Sequence, residues 1–230
     1  MSELLVDGRA VPVKIRRNAR AERMSLRVDP QDGAVVLVLP PRLAAAQGLA
    51  FAKSKADWLA ERLAALPPNI PFADGMALPL LGASYRLRHM PDGRRGVWIA
   101  DNEIHVSGHA EHFARRLTDW LKRHARDEIT ARALPMAAAI GKSIGAIHLK
   151  DTRSRWGSCS NRGDLSFSWR LLLAPAEVLT YVVGHEVAHL AEMNHSAAFW
   201  RLVANLAPNA QSARAWLKSH GAQLHRYGRS

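Results

Sequence analysis

The sequence predicts an α+β protein in two parts, and three observations carry that expectation. Up to about residue 108, apolar residues fall in short β-rich runs separated by proline, aspartate and glycine. Beyond that point they recur at helical spacing over long stretches. Only a few short runs between residues 147 and 171 return to strand character, enough for a small sheet. The composition shift sets the expected boundary: a β-rich N-terminal module with one helix over residues 1–108, and a mostly helical domain over residues 109–230.

Each element follows from local pattern. Val11 to Ile15 and Met24 to Val28 alternate, and Ala34 to Leu39 is a continuous β-rich run. Asp29 to Gly33 carries the turn residues that join the last two, and Pro40-Pro41 ends the run. From Ala44 to Leu66 the period becomes helical, with Leu49, Lys53, Ala56, Trp58, Leu59 and Leu63 on one broad face and Pro67-Pro68 as the stop. Strands are expected around Leu78 to Leu81, Tyr85 to His89 and Gly96 to Val106, with Pro91-Asp92-Gly93 between the last two. A long amphipathic helix starts near Glu111 through Phe113, Leu117, Trp120, Leu121, His124, Ile129 and Leu134, and Pro135 is expected to kink or break it. Short strands follow near Ile147 to Asp151, Trp156 to Cys159 and Leu165 to Leu171. Pro175 opens a helix expected to run through Ala191, and a last helix is expected from Ser212 to His220. No internal repeat stands out.

Composition narrows the function classes. Residues 1–10 read MSELLVDGRA, unlike a secretory leader, and no stretch reaches the roughly 20 apolar residues that span a bilayer. Cys159 is the single cysteine, so no internal disulfide forms and a reducing, cytoplasmic location is expected. Lys and Arg total 32 against 20 acids, a formal charge of +12. That surplus suits contact with a polyanion such as DNA, although arginines spread over solvated faces account for it equally well. After Glu192 no acid occurs, while Arg201, Arg214, Lys218, Arg226 and Arg229 all do.

The chemistry lies in Tyr181-Val-Val-Gly-His-Glu-Val-Ala-His-Leu190. His185 and His189 are four residues apart, so on a helix both imidazoles leave one face a turn apart and can share one tetrahedral zinc. Glu186 lies on the flank where a water at the metal would sit, placed to take its proton and later deliver it to a leaving amine. With 11 histidines in the chain, about 0.02 matches to His-Glu-x-x-His are expected by chance. A third ligand is required. His195 supplies it if the helix ends near Glu192 and Asn194 turns the chain back in the left-handed conformation. Glu192 is the competitor, but on a continued straight helix it would stand roughly 10 Å from His185, so His195 is preferred. The six-residue step to His195 is also metzincin spacing, yet Glu192 stands where their glycine would be, and no methionine follows residue 193.

These stretches resemble the YgjP-like metallopeptidases, zincins related to the SprT-like proteases. The resemblance rests on Arg155-Trp-Gly-Ser-Cys-Ser160, Leu165-Ser-Phe-Ser-Trp-Arg-Leu171, Pro175, the Tyr181 to Leu190 segment and Asn194-His-Ser-Ala-Ala-Phe-Trp200, and it covers nearly the whole chain. It implies a zincin-like catalytic domain, one zinc ion held by His185, His189 and His195, Glu186 as the catalytic carboxylate, and a peptide or protein substrate. In such a fold, Trp156 to Ser160 or Leu165 to Leu171 would supply the strand beside the metal helix against which a peptide pairs; Trp156 and Trp169 fit at least as well as core aromatics. Phe199 and Trp200 are read as packing that anchors the loop after His195, and Cys159 as a small buried hydrophobe. Arg153, Arg155, His220, His225 and Tyr227 are the candidate donors to the oxyanion. Two other functions remain open at this stage: a DNA-associated protease acting on nucleoprotein, and a non-enzymatic zinc protein, which would need a fourth protein ligand.

Overall fold

The computed structural model describes residues 2–29, 33–66, 68–152 and 154–229, in two compact units, Met1–Pro68 and Asn69–Ser230. In the first unit, β1 (Ser2–Val6), β2 (Arg9–Arg17), β3 (Ser25–Val28) and β4 (Val35–Leu39) form a sheet in the order β1-β2-β4-β3. The central β2–β4 pair is parallel and both outer pairs are antiparallel. β1 is a strand that the sequence pattern did not announce. The expected single helix is two, α1 (Ala45–Lys53) and α2 (Ala56–Ala64), parted where Ser54 turns its hydroxyl onto the Phe51 carbonyl. Val35, Leu37, Leu39, Ala52 and Leu59 are buried together in this unit's core. The expected turn residues 30–32 and the stop at Pro67 lie outside the described residues.

The second unit repeats that sheet plan. β5 (Ala77–Leu80), β6 (Ala83–Met90), β7 (Val97–Ala100) and β8 (Glu103–Ser107) take the order β5-β6-β8-β7 with the same alternation of antiparallel and parallel pairs. The expected run from Gly96 to Val106 is a hairpin, turned by Asp101 and Asn102 at φ of 50° and 58°. Leu78, Leu87, Ile104 and Val106 share one core with the long helix that follows. The structural boundary therefore falls at residue 68 and not at residue 108: composition changes where strands give way to helices, but the core continues across that point.

α3 (Phe113–Ala139) is unbroken through Pro135. The proline falls in its last two turns, where buried Ala133 and Ala137 keep the helix on the core. A third sheet, ordered β10-β11-β9, comprises β9 (Ile147–Lys150), β10 (Gly157–Cys159) and β11 (Leu165–Ser168). β11 ends three residues earlier than its apolar pattern suggests, because Trp169–Leu173 coils into a 3-10 turn with every side chain buried. Then come α4 (Ala176–Ala188), α5 (Ala197–Leu206) and α6 (Ala210–Leu224). α4 stops three residues short of Ala191, and α5 replaces the loop expected after His195. Among the described residues no helix is long and apolar enough to cross a membrane.

α4 is buried on almost every side through Val178, Leu179, Val182, Val183 and Val187. Each such side chain contributes about 1.5–3 kcal/mol on burial, so the helix is fixed firmly enough to hold polar groups in place. A second anchor is the buried Arg170, which grips Asp151 with two hydrogen bonds of 2.6 and 3.0 Å and donates to the carbonyls of Leu224 and Tyr227. Burial alone would raise the Asp151 carboxyl, but the pairing with Arg170 outweighs it and holds the group below its usual range. Replacing Asp151 by Ala leaves the Arg170 guanidinium buried without its carboxylate. We expect a loss of about 2–4 kcal/mol, measured as a lower urea midpoint.

Candidate metal centre

His185, Glu186 and His189 all come from the C-terminal half of α4, where His185 and Glu186 are on helical backbone and His189 is the cap residue. The helix ends because the chain reverses over residues 190–195. Asn194 does not adopt the left-handed conformation expected of it; its side-chain oxygen instead accepts from the Ser196 amide at 3.1 Å, and Ser196 caps α5 by accepting from the Phe199 amide. That reversal brings His195 back over the end of α4.

The three histidines offer ligand atoms that all lie within 4.8 Å of one another, and Nε2 of His195 stands 3.3 Å from Nε2 of His185. Two nitrogens about 2.0–2.1 Å from one tetrahedral ion are separated by about 3.3 Å, so this pair already has the spacing of two ligands. At His189, Nδ1 faces the Glu192 carbonyl at 3.0 Å and must donate to it, which leaves Nε2 as the lone pair directed to the site. Glu192 thus takes part through its backbone; its carboxylate is not in the cluster. The ring of Phe199, fully buried, supports all three imidazoles, stacked on His189 at 4.5 Å and edge-on to His185 and His195 at 4.9 and 4.8 Å. Burial, helped by the neighbouring imidazoles and by Arg214, pushes His185 down to about 4, and burial lowers His189 as well. Neutral imidazoles are the form that binds a metal, so the triad is positioned to hold one ion.

Glu186 is 6% exposed and lies under β10, where a Cβ on Gly157 would stand 2.5 Å from its Cγ and Oε1. No residue with a side chain fits at 157 without moving the carboxylate. Burial pushes the Glu186 carboxyl up to about 7, against a small opposing pull from Arg155. β10 is an edge strand of its sheet. Trp156 and Ser160 spend their backbone bonds on Ser168 and Asp164 of the β11 side, so the amides and carbonyls of Gly157 and Cys159 face the open edge. A pocket of about 260 Å³ opens beside the carboxylate, bounded by His185, Glu186 and Gly157 and by Tyr181, Arg155 and Arg214.

The other sequence candidates separate. Arg155 lines the pocket, whereas His220 stacks on Trp216, His225 is buried against Trp156, and Tyr227 gives its carbonyl to Arg170; none of these three lines the pocket. Arg153 lies outside the described residues. Cys159 is partly buried against the core. Tyr181 and Arg214 also line the pocket, and neither is among those candidate donors. Tyr181 had a signal, since it precedes His185 by one helical turn; Arg214 arrives from α6 and had none.

A family model described as YgjP-like, metallopeptidase domain, matches residues 22–220. No curated protein matches the chain. Among solved structures, the crystal structure of the metallopeptidase zymogen of Pyrococcus abyssi abylysin matches at 23% identity and a TM-score of 0.31, over 44% of this chain and 92% of that one.

The two displaced ionisations have opposite consequences in metal-stripped protein. Unfolded Glu186 ionises from about pH 4.5 while the folded side chain keeps its proton to about 7, so its contribution to stability falls as pH rises through that window and stays low above it. His185 protonates near 6.5 unfolded and near 4 folded, so its contribution falls as pH drops between those values. Stripped Glu186→Gln protein should exceed wild type by on the order of 3 kcal/mol at pH 8 and match it at pH 4, read from urea midpoints. Equal gains at both pH values would count against burial of Glu186 as the cause.

Proposed function

The chain belongs to the YgjP-like metallopeptidase family, and on that footing we propose that it hydrolyses peptide bonds with one zinc ion held by His185, His189 and His195 and with Glu186 as general base. The observation that carries this reading is the convergence of three imidazoles beside a buried carboxylate at an open strand edge. Three protein ligands also favour catalysis over a structural role, since structural zinc is enclosed by four. All-imidazole ligation suits zinc, as it does copper, iron and nickel, whereas magnesium and calcium favour oxygen ligands.

The ion, when bound, supplies Lewis acidity that lowers the pKa of water and polarises a carbonyl. The remaining work falls to the chain. An extended peptide lies along β10 and pairs with the free amides and carbonyls of Gly157 and Cys159, which sets its carbonyl beside the triad. Glu186, held under Gly157, takes a proton from the attacking water and returns it to the departing amine nitrogen. Its raised pKa strengthens it as a base in the ionised form and keeps the proton close at hand for the second transfer.

The test is metal content by plasma mass spectrometry, together with casein hydrolysis with and without chelator. Wild type should carry about one zinc per chain and show chelator-sensitive cleavage. Glu186→Gln should keep the zinc and lose about 10²–10⁴-fold in rate. His195→Ala should lose both. A Glu186→Gln protein that retains hydrolysis would refute the general-base assignment, and metal-free wild type would refute the centre itself.

A further inference from the structure

The pocket beside Glu186 carries a feature that peptide hydrolysis as such does not require. Two arginines from distant parts of the chain, Arg155 just before β10 and Arg214 on α6, stand at one pocket whose other wall is the ligand helix α4. Neither guanidinium has a carboxylate partner among the described residues. Arg214 is not loose: it lies over the Trp200 indole at 5.5 Å, and Trp200 in turn stacks on His195. Its charge is felt at both Tyr181 and His185, and that of Arg155 at Glu186. Val182 and Leu217 give the pocket an apolar part, and among the described residues Glu186 is the single acid that lines it.

We propose that this pocket takes a carboxylate of the substrate at a residue flanking the bond that is cut, held by Arg214 and Arg155; the proposal rests on the peptidase reading above. Two guanidiniums beside a dication make the pocket attractive to an anion and repellent to lysine or arginine. The methylenes of an aspartate or glutamate fit against Val182 and Leu217 while the carboxylate reaches the guanidiniums. Because His185 and Glu186 line the same pocket, the residue bound there must be next to the reacting carbonyl. The carboxylate can belong to an acidic side chain or to the peptide's own C-terminus.

The experiment is cleavage-site profiling of a mixed peptide library by the zinc-loaded full-length protein, followed by kcat/KM on matched blocked peptides with Glu, Gln or Lys at the favoured position. Enrichment of Asp and Glu at one flanking position, with Glu over Gln by on the order of tenfold or more, is the expected result for a side-chain carboxylate. Cleavage confined to a fixed distance from a free C-terminus, lost on amidation, is the expected result for a terminal one. In either case Arg214→Gln and Arg155→Gln should each shrink the ratio of acidic to neutral substrate, and Arg214→Glu should turn it towards Lys, with zinc content as the measure that the site is intact. Efficient cleavage with no acidic preference, or a preference that survives both arginine substitutions, overturns the proposal and leaves the peptidase reading standing. No cleavage of any peptide by zinc-loaded protein overturns the peptidase reading, and the proposal with it.

Discussion

Three imidazoles rest on one buried ring. Phe199 is fully enclosed and touches His185, His189 and His195 at ring separations of 4.5 to 4.9 Å, so the imidazole positions depend on where α5 carries that phenyl group. Two local devices set α5. The cap at Ser196 fixes where the helix begins, directly after His195. At the other end, Gly184 of α4 lets Leu206 and Ala207 approach until a Cβ there would meet theirs at 3.3 to 3.4 Å. The glycine before His185 therefore has a packing reason, and it acts on the metal centre through the angle at which α5 returns beneath it. Trp200, the next residue, flanks His195 and carries Arg214. Consecutive aromatics thus link the ligands to the pocket.

Burial is the second constraint, and it shapes the chemistry directly. α4 has so many aliphatic residues that its polar groups sit in low dielectric whether or not a ligand is present. Desolvation favours the neutral form of acids and bases alike, which is why His185 moves down and Glu186 moves up. One environment leaves the imidazoles ready for a metal and makes the carboxylate a stronger base. A solvated surface carrying the same residues would do neither. The energy to hold Glu186 there comes from the apolar side chains around it, and no ion pair among the described residues shares in it.

Two members of the histidine triad were legible in the sequence because they are local: helical spacing alone aligns His185 and His189, and Glu192 was set aside on the rise of a helix. The chain reversal to His195 was expected for a different reason from the one observed, since an Asx-type bond at Asn194 does what a left-handed residue was expected to do. The site's remaining parts were hidden because they are long-range. Gly157 read as part of a tryptophan-glycine-serine-cysteine run, and nothing in that run says that a carboxylate 29 residues later occupies the space of its absent side chain. Arg214 reads as one arginine among many. The same divide governs the fold. Strand alternation was visible in β2, β3 and β4, but the shared order of the two four-stranded sheets is a property of pairing, with no sequence repeat to betray it. The boundary misled because composition records the type of secondary structure, whereas a domain is defined by which residues share a core.

The geometry around the triad is set by bonds within the chain. The reversal from His189 to His195 is held by the His189–Glu192 and Asn194–Ser196 hydrogen bonds and by the Ser196 cap, each of which belongs to the chain alone. A small zinc domain whose ligands lie on otherwise unstructured loops must order its backbone as it binds, at roughly 1–2 kcal/mol per residue fixed. Here most of that ordering belongs to the folding of α4 and α5, whose cores are apolar and independent of metal. Binding energy from the ion is then left for the ligand contacts themselves.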